Sequence, residues 1–275
     1  VKMQSCGNDY IFFDNMDGKI TCPESLAINF VDRHFGIGGD GITLIEKSDV
    51  ADAKMRIFNQ DGSEGAMAGN SIRCVAKYLF DNGFVKDKHI TIETLSGVRE
   101  MTLYTSGGKA GSVCVDMGKA VLDGASIPST LDGDTVVGRK IEVLGQEYAV
   151  TLVNVGNPHC VIFCDKVDAV DIQSVGPAFE NAPYFPQRIN TEFVRVVNSK
   201  TLKMRVWERG NGETLACGTG AAASVIAAVL NGYCEADEDI TVKVRGGDLI
   251  VRYGSDGVVR LTGNARQVFE GTVEF

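Results

Sequence analysis

The chain has 275 residues and a formal net charge of −9, from 27 Lys and Arg against 36 Asp and Glu. At roughly 150 residues per domain, this length allows one large domain or two modest ones. The acidic balance argues against a nucleic-acid partner and against binding to an anionic membrane surface.

The N-terminal residues Val1-Lys2-Met3-Gln4-Ser5-Cys6 hold no apolar signal-peptide core and no initiator Met, so the chain reads as trimmed and cytoplasmic. Apolar and β-branched runs predict a strand at 11–13, followed by a helix opened by Pro23 over 23–34. A strand at 54–58 and a helix over 71–82, closed by Gly83, come next. Strands are then expected at 90–94, 113–116, 151–155 and 161–163, a helix at 173–179 and a strand at 203–207. The series ends with an apolar helix over 219–231, closed by Gly232, and strands at 240–244 and 258–261. The longest small-apolar stretch, 221–230, is too short for a membrane span, which needs ~18–20 residues. Eight scattered cysteines without a C-x-x-C pair point to neither a disulfide framework nor a zinc site.

The two halves repeat at one offset. Met55-Arg56-Ile57-Phe58-Asn59 matches Met204-Arg205-Val206-Trp207-Glu208, 149 residues on. The same offset carries Gly7-Asn8 onto Gly156-Asn157, Glu64 onto Glu213, Gly69 onto Gly218, Gly83 onto Gly232 and Gly97 onto Gly246. Two copies of one unit are therefore expected, with the boundary in the Gly, Ser and Pro-bearing stretch 117–131.

The two central helices open alike, on Met67-Ala68-Gly69-Asn70-Ser71 and on Ala216-Cys217-Gly218-Thr219-Gly220. Glycine and small polar residues leave the first backbone N–H groups bare, and each helix adds about half a positive charge there. Such an end suits a carboxylate or phosphate. Cys217 sits at one end, where a thiol is expected to ionise below its usual ~8.5; the equivalent residue in the first copy is Ala68. A carboxylate gripped by two helix ends, with groups on opposite faces of its α-carbon, describes a cofactor-free amino-acid racemase or epimerase. One base takes the α-proton, an opposite acid returns one, and the aimed N–H groups hold the charge that spreads into the carboxylate. Two G-x-G-x-x-G-like stretches, beginning at Gly36 and Gly218, follow no clear strand and read as loop glycine and helix opening, not dinucleotide sites.

At these residues the chain resembles the diaminopimelate epimerase family, of the proline-racemase/diaminopimelate-epimerase superfamily. The resemblance runs through Gly7-Asn8-Asp9-Tyr10, Asp32-Arg33-His34-Phe35-Gly36, Asn59-Gln60-Asp61-Gly62-Ser63-Glu64 and Gly69-Asn70-Ser71-Ile72-Arg73-Cys74. It continues through Gly156-Asn157-Pro158-His159, Glu208-Arg209-Gly210 and Ala216-Cys217-Gly218-Thr219-Gly220. It implies an α/β fold of two pseudo-symmetric domains, 1–117 plus 263–275 and 118–262. Each would be a mixed, largely antiparallel sheet rolled around a central helix, with the active site in the interdomain cleft.

The implied activity is interconversion of LL- and meso-diaminopimelate, a step toward lysine and peptidoglycan, with neither cofactor nor metal. The implied partner is this small amino acid, and family members are often homodimers. In the family two cysteines act as base and acid; Cys217 matches one, and Ala68 stands where the other belongs. The resemblance places the reacting carboxylate on the backbone of Gly69, Asn70, Gly218 and Thr219, and the α-ammonium on Glu208. Asn59, Asn157, Asn190 and Arg209 would grip the distal end, Asn8 would line the cleft, and His159 matches a site histidine near the thiols. Gly41 stands where many members have Gln.

The residues themselves agree with this reading. Arg209 can hold a carboxylate through two N–H groups, and Asn59 takes Glu208's place in the first copy, so the repeat loses its symmetry where one substrate must bind one way round. Ala68 reads as a Cys→Ala replacement in an otherwise whole pocket; a natural member with altered chemistry and a degenerate member are the alternatives. Neither Cys74, expected to point into the core, nor Ser71 is expected to substitute. Activity is therefore expected to be much reduced, with α-proton exchange retained through Cys217. The rival functions are racemisation of a smaller or cyclic amino acid and non-catalytic amino-acid binding.

Overall fold

The computed structural model describes residues 1–274; Phe275, the last residue of the expected first domain, lies outside them. The chain divides into two compact units, Val1–Asp116 together with the chain from Thr262 on, and Met117–Leu261.

The first unit runs β1 (Lys2–Ser5), β2 (Asn8–Asp14), α1 (Pro23–Phe30), β3 (Gly41–Glu46), β4 (Ala53–Asn59), β5 (Glu64–Gly65), α2 (Gly69–Asp81), β6 (His89–Thr94) and β7 (Gly97–Ser106), and leaves through β8 (Lys109–Lys119). The second runs β9 (Arg139–Val143), β10 (Gln146–Asn154), β11 (Pro158–Phe163), α3 (Ile172–Glu180), β12 (Asn190–Asn198), β13 (Thr201–Glu208), β14 (Gly212–Glu213), α4 (Gly218–Leu230), β15 (Asp239–Val244) and β16 (Gly247–Tyr253). β17 (Val258–Asn264) brings the chain back, and β18 (Arg266–Phe269) pairs with β1.

Within each unit the strand pairings are mixed and largely antiparallel. In the first, β2 pairs parallel with β3, Tyr10 opposite Gly41; in the second, β11 pairs parallel with β12, His159 opposite Asn190. Both members of the second pair lie 149 residues beyond those of the first. Gly41 is required by crowding: a Cβ there would meet Phe58 O at 2.5 Å and the Tyr10 ring at 2.7 Å, so no side chain fits this strand position without a shift.

The two central helices are largely buried. α2 buries Ile72, Val75, Ala76 and Leu79 and packs on β1, β2, β6 and β7. α4 has no wet face along its middle: Gly220 through Ala228 are all buried, with the helix touching β10, β11, β12, β13, β15 and β16. Full burial of a side chain such as Ile226 is worth roughly 1.5–3 kcal/mol. Both helices end on the same motif. Gly83 (φ +76°) and Gly232 (φ +76°) donate to Phe80 O and Val229 O, and the next N–H groups, of Phe84 and Tyr233, reach back to Leu79 O and Ala228 O.

Several expected elements need correction. The helix expected over 23–34 ends at Phe30, because the N–H groups of both Ile37 and Gly38 turn back to Phe30 O and Asp32 Oδ1 accepts the His34 and Phe35 N–H groups. β1, β3, β5, β7, β9, β12, β14, β16 and β18 were not expected as strands. Gly97 corresponds not to Gly246 but to Gly247. Gly97 lies opposite Thr94 and Gly247 opposite Val244, in matching hairpins, so one extra residue enters the second unit between Gly232 and β15. Among the described residues no helix is long and apolar enough to cross a membrane.

Candidate active site

Cys217 is the N-cap of α4, with φ −122° and ψ 115°. Its Sγ accepts the Gly220 N–H at 3.3 Å and lies 3.3 Å from Thr219 Oγ1. The turn from β13 into β14 brings Glu208 to the same place. Its carboxylate takes a hydrogen bond from the Thr214 hydroxyl and another from Cys217.

Burial pushes the Glu208 carboxyl above its ordinary range, although Thr214, the charge of His159 and the Cys217 hydrogen bond pull the other way. Burial also pushes the Cys217 thiol well above its usual value, and the Glu208 and Glu192 carboxylates add to that. Thr219 and the Gly220 N–H offset only part. The lowered thiol expected from the helix end is thus corrected, because desolvation and two nearby negative charges outweigh the helix N-terminus.

Behind Cys217 lies a polar set on the parallel strands. His159 Nδ1 is 2.7 Å from Glu192 Oε1, with both side chains fully buried, and His159 Nε2 is 2.9 Å from Asn157 Oδ1. Asn190 donates to Pro158 O at 2.8 Å and accepts the Arg209 N–H at 2.9 Å. Glu180, near the end of α3, accepts from Trp207 Nε1 (2.7 Å) and from the Gly210 N–H (2.9 Å). Asn190 and Glu180 therefore fix the turn that presents Glu208 and Arg209, and the Arg209 guanidinium donates to Gln187 O.

In the first unit Ala68 caps α2 with φ −128° and ψ 118°, within 6° and 3° of the Cys217 values, but its methyl makes no cap bond. Beside it, Asn70 donates to Asn8 Oδ1 (3.3 Å) and Asn8 donates to Asp40 Oδ2 (2.6 Å). The fully buried Arg73 donates to Gly69 O, Asn70 Oδ1 and Ser5 Oγ. Asn59, at the end of β4, donates to Ser63 Oγ at 3.0 Å and bonds none of these. Burial pushes the Cys74 thiol up to about 12, and Ser71 Oγ is engaged with Thr43 Oγ1 at 2.7 Å. Neither is free to replace a thiol at position 68. Among the described residues no group of three or more His, Cys, Asp and Glu is arranged to hold a metal ion.

A sequence model of the family described as diaminopimelate epimerase matches residues 1–122 and 151–268. The diaminopimelate epimerase of Desulfitobacterium hafniense (strain DSM 10664 / DCB-2) is 46% identical, over 99% of this chain and 97% of its own length. That of Acetivibrio thermocellus (strain ATCC 27405) is 48% identical over the same shares. The chain belongs to the diaminopimelate epimerase family.

Members of this family are isomerases acting on amino acids. The fold is wider than the family. A probable proline racemase from Agrobacterium radiobacter K84 superposes with a TM-score of 0.72 at 15% identity, covering 100% of this chain and 92% of its own. A phenazine biosynthesis protein of the PhzF family from Bacillus anthracis superposes at 0.68 with 12% identity, covering 96% and 94%. The α/β architecture with a mixed sheet is thus shared with these two structures.

The site residues named from the epimerase resemblance fall into two groups, with Asn59 bonded to neither. Asn157 and His159, Asn190 and Arg209, and Glu208 and Cys217 are joined pairwise in the second unit, next to Gly218 and Thr219. Asn8 and Asn70 are joined in the first, next to Ala68 and Gly69. Glu192 and Glu180 escaped the sequence reading. Glu192 sits in Asn190-Thr191-Glu192-Phe193-Val194, where alternation alone reads as a strand with one outward carboxylate. The available signal was the 149 offset, which sets Glu192 against Thr43 and so marks a charge with no counterpart.

Proposed function

We propose that the chain is built to epimerise LL-diaminopimelate to meso-diaminopimelate at the α-carbon without a cofactor, and that Ala68 occupies the position of one of two acid–base thiols. The observation carrying this reading is the pair of N-caps with one backbone geometry, one bearing Cys217 and the other a methyl group. The two units are read as copies that each offer one helix N-terminus to a single substrate. The backbone of Gly69, Asn70, Gly218 and Thr219 holds the α-carboxylate, where the carbanion's charge develops. Glu208 holds the α-ammonium. Asn59, Asn157, Asn190 and Arg209 select the distal amino-acid end, and Asn8 supports the carboxylate side through Asn70.

Cys217 rests as a thiol and serves directly as the acid. To serve as the base, it passes its proton to Glu208, whose raised affinity for protons suits it to receive one. In Ala68 the opposite face has no group to give or take a proton.

The test is Ala68→Cys, assayed with LL-diaminopimelate, proline and histidine. Turnover of diaminopimelate is expected to rise by roughly 100-fold or more. A gain confined to proline or histidine overturns the substrate assignment. Tight diaminopimelate binding by calorimetry with no gain in turnover overturns the enzyme reading in favour of a binding protein.

A further inference from the structure

We propose that Glu180 is a positioning residue that locks the backbone of Arg209 and so sets its side chain for the distal end of the substrate. The role of Arg209 rests on the proposed epimerase reading; the lock does not. A residue has two soft backbone torsions, and both are fixed once the peptide plane on each side of it is held. The plane before Arg209 is held by Asn190, whose Oδ1 accepts the Arg209 N–H at 2.9 Å. The plane after it is held by Glu180, whose Oε1 accepts the Gly210 N–H at 2.9 Å. The partners of Glu180 can only donate: this N–H, the Trp207 indole on Oε2 at 2.7 Å and the Arg188 guanidinium on Oε1 at 3.1 Å. Asn190 is oriented just as firmly, because its Nδ2 donates to the Pro158 carbonyl. Glu180 is buried, so these donors and not water hold its carboxylate. A long side chain that must grip a ligand loses less freedom on binding when its backbone is set beforehand.

The first unit shows the same turn without the lock. There the Gly62 N–H bonds Asn59 O at 3.0 Å, as the Asn211 N–H bonds Glu208 O at 3.0 Å. The residues 149 positions before Glu180 and Asn190 are Val31 and Gly41, and Gly41 has no room for a side chain. The two turns differ accordingly. Gly210 has φ +81°, whereas neither Gln60 nor Asp61 is left-handed. A left-handed third residue marks a type II turn, whose central peptide is flipped relative to type I. The N–H of that flipped peptide is the one Glu180 accepts. The support beneath the turn changes with it. Ala27, Val31 and Phe58 share one apolar cluster in the first unit; their counterparts are Gly176, Glu180 and Trp207. A Cβ on Gly176 would run into the indole ring, so α3 gives up a methyl group to admit a ring whose N–H holds the second oxygen of Glu180. The three positions thus change together, and the copy that gains the carboxylate is the one whose turn carries an arginine.

Two N–H signals read the lock without any activity: the Gly210 amide and the indole of Trp207, the chain's one tryptophan. By 15N NMR both are expected to exchange with deuterated water roughly tenfold faster in Glu180→Val than in the unaltered chain. Kinetics read what the lock is for. In the Ala68→Cys background, Glu180→Val is expected to raise KM for diaminopimelate by roughly tenfold. It is expected to change kcat by less than about threefold, because Glu208 stays in the ladder opposite Gly212 and keeps its bond from Thr214. A role in folding alone would remove active molecules, lowering kcat and leaving KM as it was. Should Glu180→Val fail to fold, Gly176→Ala, Glu180→Val and Trp207→Phe together recreate the trio that the first unit packs, with the same rise in KM and the same faster Gly210 exchange expected. Unchanged exchange at Gly210 overturns the proposal, and so does an unchanged KM. An inactive Ala68→Cys parent overturns the epimerase reading instead, and exchange at Gly210 then decides the lock alone.

Discussion

Cys217 combines two opposed influences, and their balance sets its reactivity. The helix end and Gly220 N–H favour the thiolate, while burial and the carboxylates of Glu208 and Glu192 favour the thiol. The second set prevails, so at neutral pH the thiolate fraction lies below that of an ordinary cysteine, whose pKa is ~8.5. Iodoacetamide at pH 7.5 is expected to label the exposed Cys22 well before Cys217, and the Cys217 rate is expected to keep climbing beyond pH 9. Peptide mapping by mass spectrometry follows both. Faster labelling of Cys217 than of Cys22 at pH 7.5, or a rate that levels off below pH 8, contradicts this balance. The sequence displays the cap but not the desolvation: Ala216-Cys217-Gly218 marks a helix start, whereas the two carboxylates that reverse its effect come from β12 and β13, 25 and 9 residues earlier.

Each central helix needs its first turn held still if its N–H groups are to serve as an anion site. In α2 Arg73 does this from inside. Its guanidinium ties the Gly69 carbonyl, the Asn70 side chain and Ser5 on β1 together, with no exposure to solvent. A lysine ammonium is a single point and does not span the three acceptors. Arg73→Lys is expected to cost about 2 kcal/mol by leaving buried acceptors unmet, read as a lower thermal midpoint; a midpoint unchanged within error would show that Arg73 is not the brace.

Elements such as α2 were legible because their cues are local. Apolar spacing at 72, 75, 76 and 79 sets the face, and Gly83 sets the end. The strands that were missed are defined by partners far away. β3 begins at a glycine that reads as a loop until Tyr10 and Phe58 crowd it. β12 carries Glu192 on what looks like a solvent face, and only the parallel pairing with β11 puts that carboxylate beside His159. Glu180 is similar: its place near the end of α3 is visible, but its grip on Trp207 and Gly210 depends on how α3 folds back over β13.

Across the whole molecule the same element series is written twice, and the chemistry lies in where the copies differ. The bounds of α2 and α4 are 149 residues apart at both ends, as are Tyr10–Gly41 and His159–Asn190 in the parallel ladders. Against that common frame, Ala68 opposes Cys217, Asn59 opposes Glu208, and Thr43 opposes Glu192. The proposed two-base epimerisation needs a proton donor and acceptor on each face of the α-carbon. On that proposal the reacting α-centre of diaminopimelate has one face served by the Cys217 thiol and one by the Ala68 methyl group. In deuterated water, the unaltered chain is expected to exchange the α-proton of only one diastereomer at an appreciable rate, with its configuration retained. Interconversion of the LL and meso forms is expected to lag that of Ala68→Cys by roughly 100-fold or more. Mass spectrometry of the recovered substrate, combined with chiral separation of the two forms, reads both quantities in one reaction. Deuterium entering the LL and meso forms equally, or conversion at the rate of the Ala68→Cys variant, would mean that a second proton carrier acts where Ala68 stands, and the one-thiol account would fall.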